Sequence, residues 1–456
     1  MSRKLRRIFF LIIILISISS VVLAIFKTLT IGEKKLSFSI IIEGNTEEPQ
    51  IQKRPILSEG MIPIIWDDTY SKWKITSSTD ESWYNYEEKK WANVMMSDGT
   101  YNSSTSVNTL IEENQLGSMF VWIPRFEYKI NYTSTGDHSQ GGTISINLIE
   151  SSVISSSEGY TIHPAFTNGT YSNFLNGEWD NEIAGFWVAK FEMSKEIYSS
   201  STKTWISQNT DNDSQGNIIV NNTSTRMVSK PNKSAWSRIS VANAYNSSLK
   251  ATYNENNADN INSHMLKNSE WGAVAYLAYS SYGKQSQPSI NNILTSRKKS
   301  VTGYSSGNTQ ARMTDASANN NNKYSTQIGI KASTTGNIYG VYDMNGGLNE
   351  YTSAYFEGNS NPIENNSKYC TVYQTGSLSS VGKIGDATKE VFKWDNSAMG
   401  SEGSTNPAYT SSMYFMRGGA ASNGDSISLS GIFSAYQLNS STLSYYRGFR
   451  TSLIVE

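Results

Sequence analysis

Apolar and polar positions change their spacing several times along this chain, and each change suggests a different element. The longest apolar run, residues 8–26, carries no charge and stands between the basic group Arg3, Lys4, Arg6 and Arg7 and the single Lys27. Coiled as a helix, a run of that length spans about 28 Å, close to the hydrocarbon thickness of a bilayer. The basic residues before it place its N-terminal end in the cytoplasm. Residues 1–30 are therefore expected to form a cytoplasmic tip and a single-pass anchor through residues 8–26, with everything after residue 30 outside the cytoplasm. A secretory signal peptide cleaved after Ala24 is the alternative, because Val22 and Ala24 suit a small-residue cleavage site.

Beyond the anchor the apolar runs shorten. "LSFSIIIEG" reads as a strand followed by a linker, and residues 60–96, dense in Trp and Tyr, read as hairpins. With the polar connector 97–109 these make a small β-rich region over 31–110. "SMFVWIPRFEYKINY" (118–132) has the β-branched and aromatic run of a buried strand, broken at Pro124. From residue 160 onward, aromatic segments alternate with Asn/Ser/Thr-rich tracts at 198–226, 252–262, 285–300 and 315–326, which are too polar for a core and read as surface loops. Two segments have helical spacing. One carries Trp236, Ile239, Ala242, Asn243 and Tyr245; the other carries Trp271, Val274, Ala275, Ala278 and Tyr279, with Ser269 as a candidate cap and Glu270 pairing at the helix start. The pattern predicts an α+β fold, irregular and loop-rich, with the main domain over 111–456.

Charge and composition then narrow the function. With 38 basic and 39 acidic side chains the net charge is -1, which argues against nucleic acid as a partner, since phosphate neutralisation demands a basic face. Cys370 is the only cysteine, so no intrachain disulfide and no thiolate cluster can form. It reads as a small apolar filler. His138, His163 and His264 are scattered singly and suggest no imidazole metal site. Arg125 and His163, each beside a proline and a phenylalanine, read as parts of packed turns.

Four segments stand in a telling order: "LKNSEWGAVAYLAYS" (266–280), "NIYGVYDMNGGLNEYTS" (337–353), "MRGGAAS" (416–422) and "YRGFRTSL" (446–453). The order resembles the formylglycine-generating, or sulfatase-modifying factor, family, which has a variant of the C-type-lectin fold. "FWVAKFEMS" (186–194) is similar to an early strand of that family, and the resemblance covers roughly residues 118–456. It implies that Asp343, Asn345 and Glu350, hard oxygen donors around Gly346 and Gly347, hold a structural calcium ion. Two departures bear on this: Gly347 stands where the family has Asn, and Asn349 and Tyr351 replace two tryptophans. The alternative is that the glycines only make a turn and that Glu350 pairs with Arg417 or Arg450.

The enzymes of the family hold copper through two cysteines between the last two motifs. Residues 420–446 contain no cysteine, so no copper is expected. That interval is similar instead to the binding face of the C-type-lectin-type variable proteins of diversity-generating retroelements. The resemblance implies a non-catalytic module that binds a protein or glycan ligand at the cell surface through Asn423, Tyr436, Asn439, Tyr445 and Tyr446. Tyr, Ser and Asn combine rigid contact area with adaptable hydrogen bonding. An enzyme of altered chemistry, an oxidase or hydrolase using Asp343, Glu350 and Glu270 as acids, is the other reading, and a structural surface component is a third.

Overall fold

A computed structural model of the chain describes residues 29–31, 34–36 and 54–456, apart from 135–136, 170–178, 209–223, 252–259, 292–299, 310–318, 357–362, 364–367, 374–381, 393, 398, 402–413, 420–429 and 439–442. Contacts divide the chain into two units, Met1–Gln50 and Ile51–Glu456. In the first, Leu29–Ile31 pairs antiparallel with Lys34–Leu36.

The second unit is built on an eight-stranded, wholly antiparallel sheet. Its spatial order is Ile261–Met265, Thr451–Val455, Gly185–Ala189, Met119–Pro124, Asn93–Met96, Met61–Asp67, Lys72–Ile75 and Leu110–Ile111. Met119–Pro124 and Gly185–Ala189 are buried along their whole length, as continuous apolar runs in central strands should be. The strands from residues 61–111 complete this same sheet, with Asn93 opposite Val121 and Val94 opposite Phe120. Pro124 closes its strand, and the chain resumes as Phe126–Tyr132 in a separate three-stranded sheet. A five-stranded mixed sheet, in the order Met399–Ser401, Gly431–Leu438, Tyr414–Gly418, Asn349–Thr352 and Arg447–Phe449, carries the C-terminal motifs.

The expected α+β class is corrected to a β-rich one. Among the described residues 23 strands form six sheets, and the α-helices are α1 (Val241–Leu249) and α2 (Asn268–Tyr279). The second helix falls where the helical spacing predicts it, whereas the first begins only at Val241, after the Ser240 cap, and leaves Trp236 and Ile239 outside it. The strands outnumber the helices because the apolar content is carried by Tyr, Trp, Phe, Ile and Val in short runs, which suit a pleated surface better than a helix face. The expected single-pass membrane placement is corrected as well: among the described residues no helix is long and apolar enough to cross a membrane. The run 8–26, together with the alternative cleavage after Ala24, lies outside the described residues.

Helix α2 fixes the relation between the large sheets. All twelve of its residues are buried, which explains why its sequence is apolar on every side except its first turn. Glu270 closes that turn backwards, its carboxylate accepting from the Lys267 N–H at 2.9 Å, so the start is set by Glu270 and Lys267 rather than by Ser269. The Trp271 Nε1–H donates to the Ile432 carbonyl at 2.8 Å, tying the helix to the five-stranded sheet. The core around it is aromatic: Trp122 lies 5.2 Å from Trp187, and Tyr279 lies 4.5 Å from Phe433, both within the range of favourable ring pairs.

Candidate functional site

The stretch Tyr342–Glu350 is tight because three of its residues take left-handed backbone: Asp343 (φ 66), Gly346 (φ 81) and Gly347 (φ 71). Such φ values cost a side chain energy, and glycine avoids that cost. The turn delivers the strand Asn349–Thr352 between its neighbours, with Glu350 opposite Arg417 on one side and Gly448 on the other. The three C-terminal motifs thus meet in one sheet.

Glu350 ends on Arg450. The guanidinium donates through Nε to Oε2 at 2.8 Å and through Nη2 to Oε1 at 2.6 Å, while Nη1 and Nη2 also donate to the carbonyls of Ala189 and Tyr342 at 2.9 Å each. Both side chains are wholly inside. Burial raises the Glu350 carboxyl, and Arg450 pulls it back; burial likewise works against the Arg450 charge, which Glu350 holds above its usual value. Arg417, the other candidate partner, spends its guanidinium on the carbonyls of Asp386 and Ala387 at 3.2 and 2.8 Å.

Asp343 faces the same interior. Its carboxylate accepts from the Gly303 N–H at 2.9 Å, the Glu192 N–H at 3.3 Å and the Asn291 side chain. Burial pushes it up to about 7. Asn345 donates its Nδ2–H to the Pro288 carbonyl at 2.7 Å, which leaves its Oδ1 buried without a hydrogen-bond partner.

Sequence reasoning missed the third acid here. Glu192 follows the strand Gly185–Ala189, is wholly buried, and accepts the Leu348 N–H on Oε1 at 2.6 Å; its Oε2 has no hydrogen-bond partner. Burial first, then the like charges of Asp343 and Glu350, push it well above the usual carboxylate range. The signal in the sequence is a lone acid inside the apolar run 186–193. Lys190, two residues earlier, is also wholly buried and donates to Asn93 Oδ1, the Ile338 carbonyl and the Gly340 carbonyl, each at 2.8 Å. Burial lowers its pKa well below the ordinary value, while three acceptors match the three donors of an ammonium and favour keeping the proton.

Of the residues that the resemblance assigns to calcium, Glu350 gives both oxygens to Arg450 and Asp343 is held by N–H donors, while Asn345 Oδ1 is the oxygen left without a partner. The arrangement matches the alternative in which Glu350 pairs with arginine.

Of the ligand-face candidates, Asn423 and Asn439 lie outside the described residues. Tyr436 is buried on the strand Gly431–Leu438, only 7% exposed. Tyr445 and Tyr446 come together half-buried beside Arg238, whose guanidinium sits 4.6 Å from the Tyr445 ring. The segment is stitched down on both sides: the Arg238 N–H donates to the Ser444 carbonyl at 2.9 Å, and the Asn349 N–H to the Tyr446 carbonyl at 2.6 Å.

The remaining candidates are buried. Glu270 lies 3.0 Å from His264 Nε2, and burial opposes its charge while His264 and Lys267 hold its pKa down. Arg125 is buried against Glu182 at 2.5 Å and donates to the Phe166 and Val153 carbonyls, and His163 Nδ1 caps the short turn Pro164–Phe166 by accepting from Ala165 N–H. Cys370 is buried. No family model and no curated protein matches the chain.

Proposed function

We propose that this protein is a non-catalytic ligand-binding module on a sulfatase-modifying-factor-like scaffold, and that Tyr445 and Tyr446 belong to its binding face. The observation that carries this reading is a contrast at the C-terminal motifs. Arg417 and Arg450 are wholly buried and donate to backbone carbonyls and, from Arg450, to Glu350, so they serve as frame. Immediately before that frame, Tyr445 and Tyr446 stay partly open to solvent on a segment bonded to residues 238 and 349. Rigid aromatic rings on a pinned segment lose little entropy on binding, which is what a recognition surface needs. The convergence of the motif segments supports the scaffold reading: Glu350 pairs opposite Arg417 and Gly448, and Trp271 bonds to Ile432. The ligand class is a protein or a glycan. The test is a glycan array and a displayed-peptide library probed with the full chain, followed by the double variant Tyr445→Ala/Tyr446→Ala. A ligand retained by the wild type and lost by the folded variant supports the reading; a ligand bound equally by both overturns it.

A further inference from the structure

The three-stranded sheet Thr204–Ser207, Ser194–Ser199 and Thr225–Val228 meets the large sheet at a knot of five charged side chains. Glu196, buried on the middle strand, accepts from Arg226 Nε and Nη2 at 2.8 Å each and lies 3.0 Å from Lys233 Nζ. The Arg226 guanidinium is backed by the Trp205 ring, 4.3 Å away. Lys230 and Asp98 are not closed up in this way. Lys230 Nζ stands 3.6 Å from Asp98 Oδ2 and 3.9 Å from Glu196 Oε2, both beyond hydrogen-bond length, although its side chain is only 6% exposed. Asp98 Oδ2 is 3.9 Å from Arg226 Nη1, again too far for a hydrogen bond. A nearly buried ammonium ordinarily gathers acceptors, as Lys190 does with three oxygens at 2.8 Å. Lys230 instead holds its nitrogen against a carboxyl without bonding it. Burial lowers its pKa to about 8 against the pull of Glu196 and Asp98, so a nucleophilic, neutral fraction is present in mildly alkaline solution.

We propose that Lys230 and Asp98 condense into an intramolecular isopeptide bond, with Glu196 carrying the proton, and that this bond staples the small sheet to the large one. The neutral Lys230 Nζ attacks Cγ of Asp98. The proton shed by the nitrogen passes to Glu196 Oε2 and from there to the departing Asp98 oxygen. The Nζ–Cγ bond forms and a Cγ–O bond breaks, so one ammonium and one carboxylate become one amide and one water with no co-reactant. Burial works against the Glu196 charge, but Lys230, Arg226 and Lys233 outweigh it and keep Glu196 ionised as the acceptor that this transfer needs. In bulk water two hydrated ions resist such a condensation; a lysine and a carboxyl already drawn out of water lose the cost of their buried charges when the amide forms. Holding the groups together supplies the rest, since reacting groups poised about 3–3.5 Å apart behave as if highly concentrated. Asp98 follows the strand Asn93–Met96 and Lys230 follows Thr225–Val228, so the bond closes a long loop between two sheets that share no strand.

Asp98 precedes Gly99, so closure of its carboxyl on the Gly99 nitrogen is a rival reaction that loses the same water. The test must therefore find the branch itself. The full chain is kept at about pH 8, weighed intact over time by mass spectrometry and digested, beside Lys230→Arg, Asp98→Ala and Glu196→Gln. The wild type should lose one water, about 18 Da, and yield a branched peptide joining residues 98 and 230. Lys230→Arg, which keeps the charge but cannot form the amide, should yield no branch, and neither should Asp98→Ala. Glu196→Gln should form the branch about a hundredfold more slowly, the loss expected when a proton carrier is removed. The cross-linked wild type should also unfold at a higher urea concentration than Lys230→Arg. A wild type that never yields the branched peptide would overturn the proposal, as would a water lost equally by Lys230→Arg, which marks ring closure at Asp98–Gly99. A branch through Lys233 would overturn it as well. A branch formed as fast in Glu196→Gln would overturn the role given to Glu196, and equal urea midpoints would overturn the stapling role.

Discussion

Gly347 and Glu192 share one space: a β-carbon built on Gly347 would lie 2.4 Å from Glu192 Oε1, closer than atoms can approach. The residue that departs from the sulfatase-modifying-factor pattern is therefore the one that makes room for the carboxylate of Glu192, which lies between the strands Gly185–Ala189 and Ser194–Ser199. Gly347→Ala must pay for left-handed backbone and for displacing that carboxylate, together about 2–5 kcal/mol. Glu192→Ala should relieve the second part, so the double variant should lose less than the sum of the two single losses. Urea denaturation of the four proteins measures the cycle. Strict additivity would mean the two residues do not contend for this space.

The Glu350–Arg450 pair predicts how the turn responds to cations. Removing one partner of a buried pair leaves the other uncompensated and typically costs about 3–5 kcal/mol. Glu350→Gln should fall at or below the lower end, because the Asp343 carboxyl still faces Arg450. Wild-type melts in EDTA and in millimolar calcium should coincide, since both Glu350 oxygens are taken by the guanidinium. A midpoint raised by calcium in the wild type and not in Glu350→Gln would restore the calcium site that the family resemblance implies.

Local features of this fold were legible in the sequence, and long-range pairings were not. Pro124 ends a strand because it lacks an N–H, and Gly346 and Gly347 take positive φ because they lack a β-carbon; both are consequences of single residues. Glu270 at its helix start is equally local. What no short window shows is that Asn93–Met96 pairs with Met119–Pro124, which makes the tryptophan-rich region part of the main sheet. The same blindness hid Glu192, whose partners Leu348 and Asp343 are set by the fold, and misplaced Tyr436, which faces the core because its strand lies inside the five-stranded sheet. Counting helices against strands failed for a related reason: strands as short as Arg447–Phe449 leave almost no periodicity to read.

His163 should shape the acid limb of stability. Burial among Phe126, Tyr128, Phe166 and Tyr276 drives its pKa down to about 3. The unfolded imidazole takes a proton near pH 6.5, so the stability contributed by keeping His163 neutral is present above that pH and lost as pH falls toward 3. The slope is at most about 1.4 kcal/mol per pH unit for one proton. His163→Gln, which keeps a polar group for the Ala165 N–H, should be less stable at pH 7 but lose less on acidification. An unchanged acid limb in the variant would show that His163 is already charged in the folded protein.

Gly272 offers a test whose sign opposes helix propensity. It lies inside α2, where replacing glycine by alanine ordinarily gains about 1 kcal/mol. Here an added β-carbon would fall 1.9 Å from the Gly385 carbonyl oxygen and 2.9 Å from Asp386 backbone atoms, and backbone cannot swing aside as a side-chain tip can. The loop it would strike is held by buried bonds: Arg417 donates to the Asp386 and Ala387 carbonyls, and Gly385 N–H donates to Glu390 at 2.6 Å. The overpacking penalty, about 1–3 kcal/mol and more where backbone must shift, should outweigh the propensity gain. Gly272→Ala should therefore lower the urea midpoint, and amide exchange at Gly385 and Thr388 should quicken as their bonds to Glu390 and Asp386 loosen. Ala273→Gly, one position on, should also destabilise, through lost propensity and an unfilled methyl site. Opposite substitutions at adjacent positions would then both be harmful, which only close backbone approach at residue 272 accounts for; a raised midpoint in Gly272→Ala would show that the 385–386 backbone does not press against this helix.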